Sequence, residues 1–411
     1  MTLSCILTTI LLTTVTTAAA TSLPPYTCFH PGSEWLDTDG APIRAHSAGL
    51  LSPALSSADR AHYWYGADNY TSGDGTNVWI NVYQSDDLMN WRNLGHAYTH
   101  PGPFKCSSNR SSQKACGEAD RPKVARHPSG YLVMVVKSSP AVSFAKASTE
   151  AGPFAFQSSV YPNGNWVGDL TVFVDPESPA DAYLVYSVRP NGPNHAKRQI
   201  VIAKLTKDWL GVESEQVSGI TDSREGPAVF YGGPGVGYFL WTSHVTGWSA
   251  NAAAVYHADS ITSQTWTALA DPNPTHNATS FSSQSTYILP VNGSFIYVAD
   301  RFEPYVHEKV SPRYVWLPIT NITKTSITVN WHDEWRLPEQ NEQDERDEQE
   351  GSGAFDGDVD HSAGSRDPPA PTCHECALAG NCAPAGPYCL GCSYDPAVSG
   401  YCMNGGCCCN C

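Results

Sequence analysis

The sequence predicts an all-β protein whose main body is a five-bladed β-propeller, followed by an acidic linker and a small cysteine-rich tail. Two observations lead there. A strand-like segment with an aromatic near its start occurs five times: HYWYGAD (62–68), GYLVMVV (130–136), AYLVYSV (182–188), GYFLWTS (237–243) and SFIYVAD (294–300). Its aromatics, Tyr63, Tyr131, Tyr183, Tyr238 and Phe295, lie 68, 52, 55 and 57 residues apart. Helical periodicity is nearly absent, so five copies of a multi-stranded unit imply a radial repeat. A two-sheet sandwich is the alternative, but it does not require so regular a period.

Each copy holds at least three strand segments. A second alternating segment follows the aromatic one: VWINVYQSDD, AVSFAKAS, QIVIAKLT, AAVYHADS and PRYVWLPI. A further segment precedes it: IRAHSAGLL (43–51), ADRPKVAR (119–126), VGDLTVFVD (167–175), REGPAVFY (224–231) and FSSQSTYIL (281–289). In a propeller this first strand lines the central channel, so its opening residues meet at one mouth. The aromatic content, 11% of 411 residues, is ample for a large core. Trp64 and Trp241 read as core residues.

The ends of the chain differ from this body. Residues 1–20 read as a signal peptide, with an apolar run from Ile6 to Val15 and then Ala18-Ala19-Ala20. The run is too short to span a bilayer. Five N-x-S/T sequons, at Asn69, Asn109, Asn277, Asn292 and Asn321, fit the same secreted, extracellular destination. The propeller is assigned to 23–337. Residues 338–372 carry 11 acids and 2 bases with few apolar side chains, which makes them a linker. Residues 373–411 hold ten cysteines. Two CxxC pairs there resemble zinc-ribbon spacing, but an oxidising compartment favours disulfides. Cys106 and Cys116 are expected to pair, which leaves Cys28 as the odd one out. Of the net charge of −16, the first 337 residues contribute only −5, and no basic patch is left for nucleic acid. A membrane partner is not expected either, and the protein is expected to be a monomer.

The residues that open the five innermost strands are His46, Asp120, Asp169, Glu225 and Gln284. Any one of them could cap a strand end or hold an axial water or ion; three carboxylates in register suit a different task. In glycoside hydrolysis one carboxylic acid protonates the leaving oxygen while a group on the opposite sugar face handles water. Like-charge repulsion keeps the acid protonated. Trp248, after a strand end, reads as a rim platform for a sugar face.

The motifs DGAPIRAH (39–46), DRPKV (120–124), GDLTVFVD (168–175), REGPA (224–228), TGWSAN (246–251), SQST (283–286) and DRF…RYVWLP (300–318) resemble glycoside hydrolase family 43. The chain is most similar to its exo-β-1,3-galactanase branch, over about residues 25–320. The resemblance implies a propeller and an inverting mechanism, with Glu225 as general acid and Asp169 as the carboxylate that orients it and tunes its pKa. Gln284 matches a glutamine on the water-facing side; a neutral amide is a very poor base and positions water there, unless it takes an unusual imidic tautomer. His46, Trp248, Asn251 and Arg301 are the expected substrate-binding residues. Asp120 stands where the branch usually has Glu, and it is expected either to bind a sugar hydroxyl or to take a proton through the water. The implied partner is a plant cell-wall type polysaccharide, arabinogalactan or galactan. No cofactor is required and no catalytic metal is expected; an axial structural calcium is allowed for. α-L-Arabinofuranosidase or β-xylosidase activity, and a non-catalytic glycan-binding propeller, are the alternatives.

Overall fold

The computed structural model describes residues 24–338 except 54–59, 69–78, 102–118, 139, 190–197, 248, 274, 276–277 and 302–311, together with two short strands in the tail. The chain divides into two units, Met1–Gln340 and Asn341–Cys411. In the second, strands Cys382–Pro384 and Cys407–Cys409 pair antiparallel.

The first unit is five antiparallel four-stranded sheets, each in simple meander order. Blade 1 is β1 (His46–Leu51), β2 (His62–Ala67), β3 (Trp79–Ser85) and β4 (Arg92–Thr99). Blade 2 is β5 (Asp120–Arg126), β6 (Leu132–Ser138), β7 (Ala141–Ala147) and β8 (Ala155–Val160). Blade 3 is β9 (Trp166–Val174), β10 (Ala182–Arg189), β11 (Gln199–Leu205) and β12 (Val212–Val217). Blade 4 is β13 (Arg224–Tyr231), β14 (Tyr238–His244), β15 (Ala254–Ala258) and β16 (Thr267–Ala268). Blade 5 is β17 (Gln284–Val291), β18 (Ser294–Arg301), β19 (Arg313–Thr323) and β20 (Ser326–Val329). The first strands of neighbouring blades lie against one another around the ring, and β17 meets β1 to close it.

Packing explains why the second strands are so apolar. Successive side chains of a strand point to opposite faces, and in a propeller both faces are covered by a neighbouring blade. On β10, Leu184 and Tyr186 pack toward blade 2 while Tyr183 and Val185 pack toward blade 4. On β14, Tyr238 and Leu240 face blade 3, and Phe239 and Trp241 face blade 5. The core is thus a set of inter-blade layers rather than one central mass. Trp64 and Trp241 lie in these layers, as the sequence predicts. The outer strands carry no such burden: β8 is exposed or half-buried throughout.

The ring is clasped between blades 5 and 1. Phe29 and Trp335 exchange both backbone hydrogen bonds, at 2.8 and 3.1 Å, and their rings stack at 4.4 Å. Trp35, Trp64, Trp91 and Trp316 pack into the same layer. Among the described residues no helix is long and apolar enough to cross a membrane.

Candidate active site

A local irregularity aims each inner strand's polar residue. Pairing between first and second strands slips in every blade, at His46/Gly49, Asp120/Lys123, Tyr186/Val188, Glu225/Ala228 and Ser285/Tyr287. Such bulges bend a strand and re-aim its side chains. In three blades the residue after the candidate has positive φ: Ser47 at 57°, Arg121 at 47° and Gly226 at 59°. Space at Gly226 is also tight, since a Cβ there would sit 3.1 Å from both Gln284 Cγ and Ser243 Oγ and would press on them.

Asp120, Asp169, Glu225 and Gln284 come together through cations that the sequence reading did not single out. Arg121 is buried. Its Nε lies 3.0 Å from Asp169 Oδ1, its Nη1 donates to the Ser285 carbonyl at 3.1 Å, and its Nη2 donates to Gln284 Oε1 at 2.5 Å. Lys137, on β6, sits 3.2 Å from Asp120 Oδ2 and 3.7 Å from Asp169 Oδ1. Arg198, just ahead of β11, pairs with Glu225. The Gly226 amide donates to Asp169 Oδ2 at 3.2 Å, so the orienting carboxylate is hydrogen-bonded to the residue after the acid. Gln284 Nε2 donates to Ser243 Oγ at 2.8 Å, which fixes the amide at both ends.

These surroundings separate the carboxyl groups. Burial, then the charge of Asp169, push the Glu225 pKa up to about 7, against the pull of Arg198 and Arg121. Burial alone would raise Asp169, but Arg121 and Lys137 outweigh it and hold that carboxyl below its ordinary value. The same contest leaves Asp120 well below the usual carboxylate range, with Lys137 and Arg121 overcoming desolvation. An acid poised near neutrality beside a firmly ionised neighbour is the arrangement proton donation requires. Of the two roles expected of Asp120, so acidic a group favours the hydroxyl contact over proton acceptance.

Three further candidates, His46, Asn251 and Arg301, make contacts within the framework. His46 is fully buried, with Nδ1 3.4 Å from Asp300 Oδ2, so it supports the mouth from beneath rather than lining it. Asp300 Oδ2 also accepts from the Ser47 amide at 2.6 Å, holding the bulge of β1. The Asn251 side chain spans its own loop, accepting from the His244 amide at 2.8 Å and donating to the His244 carbonyl at 2.8 Å and Thr246 Oγ1 at 2.7 Å. Arg301 donates to the Phe281 carbonyl at 2.8 Å and lies over the Trp331 ring at 5.3 Å. Trp248, Cys106 and Cys116 lie outside the described residues. Lys123 is buried with its ammonium on three carbonyls, of Ser47, Ala48 and Pro122, at 2.8 to 3.1 Å, which ties β5 to β1. As for the axial calcium, Asp120 and Asp169 already face Lys137 and Arg121, and an ion there would have to displace them.

Solved structures share this architecture. A family 43 β-1,3-galactosidase superposes with a TM-score of 0.64 at 27% identity, over 76% of this chain and 64% of its own. This chain therefore spans less than two-thirds of that protein's length. The exo-β-1,3-galactanase of Phanerochaete chrysosporium, solved with β-1,3-galactotriose, gives 0.64 at 27%, over 76% and 69%. That of Clostridium thermocellum gives 0.62 at 25%, over 75% and 66%. No curated protein matches the chain. The model of the glycosyl hydrolases family 43 matches residues 53–336. That match runs from the first blade to the clasp beyond the fifth, and the chain belongs to the glycosyl hydrolases family 43.

Proposed function

We propose that the protein is a secreted exo-acting, inverting hydrolase that releases galactose from β-1,3-galactan, the backbone of arabinogalactan. The observation that carries the chemistry is the buried Glu225, poised near pH 7 beside the ionised Asp169. The similarity to exo-β-1,3-galactanases supports the substrate. In this reading Glu225 gives its proton to the glycosidic oxygen as the bond to the anomeric carbon breaks. Water held by the fixed amide of Gln284 attacks the opposite face of the oxocarbenium-like centre, and the proton it loses passes to bulk water. Solvent then reprotonates Glu225. Asp120 accepts a hydrogen bond from a sugar hydroxyl.

Residues 1–20 act as the secretion signal in this proposal. Residues 338–372 are a spacer that carries the disulfide-stapled tail at 373–411. Incubation with β-1,3-galactan, arabinan and xylan, with products read by NMR for sugar and anomer, tests the assignment. Galactose released first as the α-anomer is expected. Arabinose or xylose instead would move the chain to another branch, and binding without release would make it a glycan-binding propeller.

A further inference from the structure

Outside the mouth, one group of metal-ligating side chains sits on the clasp that closes the ring. Cys28 and His30 flank Phe29, and Glu334 precedes Trp335. Phe29 and Trp335 exchange both hydrogen bonds and turn their rings into the core. Their neighbours therefore point to the outer face. Continued one residue beyond the Phe29–Trp335 bridge, the antiparallel direction brings His30 across from Glu334. Cys28 lies two residues from His30 on the same face.

Cys28 stands at ligand-like distances from both of its neighbours. Cys28 Sγ is 3.3 Å from His30 Nε2 and 3.7 Å from Glu334 Oε2, and the ligand atoms of all three lie within 4.8 Å of one another. A tetrahedral ion with a metal–sulfur bond of about 2.3 Å and metal–nitrogen or metal–oxygen bonds of about 2.0–2.2 Å separates its ligand atoms by roughly 3.3–3.7 Å. One thiolate, one imidazole and one carboxylate form a mixed donor set that suits a borderline cation such as zinc, rather than calcium or magnesium. His30 and Glu334 are exposed and Cys28 is half-buried, so an ion has a route in.

We propose that Cys28, His30 and Glu334 form a zinc site, with water as the fourth ligand, that staples the N-terminal segment to the end of the fifth blade. Binding converts the Cys28 thiol to a thiolate and releases its proton to solvent; His30 coordinates as the neutral imidazole and Glu334 as the carboxylate. Without the ion, burial and the negative charge of Glu334 raise the Cys28 pKa. The metal removes that repulsion by neutralising both anions. Cys28 and Glu334 lie 306 residues apart in sequence, and a clip closing so long a loop restricts the unfolded chain strongly.

Titration of the full-length protein, freed of metal and kept reduced, with Co²⁺ alone tests the site. Tail cysteines contribute equally to wild type and Cys28→Ser, so the difference between the two titrations isolates Cys28. One equivalent of tetrahedral, thiolate-coordinated cobalt is expected in that difference, displaced by Zn²⁺. His30→Ala keeps the thiol and is expected to weaken the same equivalent at least tenfold. Zn²⁺ is expected to raise the Tm of wild type more than that of either variant. Equal cobalt binding by wild type and Cys28→Ser overturns the proposal. So does a non-reducing peptide map of protein purified without reductant that finds Cys28 in a disulfide.

Discussion

Arg121 Nη2 lies 2.5 Å from Gln284 Oε1, so one guanidinium on the second blade grips the amide presented by the fifth. The same side chain holds Asp169 of the third blade through Nε. Arg121 therefore sets the relative positions of the groups proposed for both sides of the scissile bond. It cannot deprotonate, and its planar fork serves three partners at once, which an ammonium does not reproduce.

Replacing Arg121 tests this positioning role. Arg121→Lys keeps the charge but loses the fork, and kcat is expected to fall about 10²-fold as Gln284 and Asp169 lose their alignment. The basic limb of the pH profile is expected to stay in place. Arg121→Met also removes a charge that lowers the Glu225 pKa, so its basic limb should move to higher pH. Equal, unshifted profiles for both variants would assign Arg121 a structural role only.

A second prediction concerns the carboxyl pair. Glu225 must be protonated to act, so kcat/KM is expected to fall as pH rises through about 7. Asp169→Asn removes the charge that raises Glu225 and frees Arg121 and Lys137, so that limb should shift to lower pH. Glu225→Gln should lose roughly 10²–10⁴-fold in kcat on natural glycans and far less on aryl glycosides with good leaving groups. Stability follows with a definite sign. The Glu225 pKa rises from an ordinary 4.5 to about 7, so between those values the folded protein binds more protons than the unfolded one. Its contribution is full below 4.5 and is lost as pH climbs to 7. Denaturant midpoints of Glu225→Gln should lack that decline.

Asp120 is predicted to bind, not to accept the proton. Lys137 and Arg121 hold it ionised far below the working range. Asp120→Asn should therefore leave the acidic limb of the profile intact and act mainly by raising KM. Loss of that limb would restore Asp120 as the base.

The parts of this molecule legible in its sequence are those where one residue type carries a repeated physical demand. Tyr63, Tyr183, Tyr238 and Phe295 mark second strands because those strands are buried on both faces. Asp120, Asp169, Glu225 and Gln284 stand out because each opens a first strand. The outer strands escaped the reading for the opposite reason: β16 is two residues long, and β8 has no buried face to impose alternation. Lys137 and Arg198 escaped it because they reach the mouth from a second strand and from a segment between strands, where a lone cation has no periodic context. Asn251 and Arg301 share motifs with the site, yet the Asn251 amide is engaged by its own loop and Arg301 Nη2 by the Phe281 carbonyl.

The last prediction places the end of the folded body at the clasp. Trp335 is buried, stacks on Phe29, and donates from Nε1 to the Trp316 carbonyl at 2.8 Å. A chain ended after residue 338 keeps these contacts and should unfold cooperatively with the propeller's activity intact. A chain ended after residue 330 loses Trp335 together with the backbone pairing to Phe29, and it should be markedly less stable. Trp335→Ala in the full chain isolates the side chain, and its truncation should cost about 3–5 kcal/mol. Denaturant unfolding followed by tryptophan fluorescence measures all three. Equal midpoints for the two shortened chains would show that the ring closes without its aromatic clasp. A loss of folding in the longer one would move the boundary into the acidic segment.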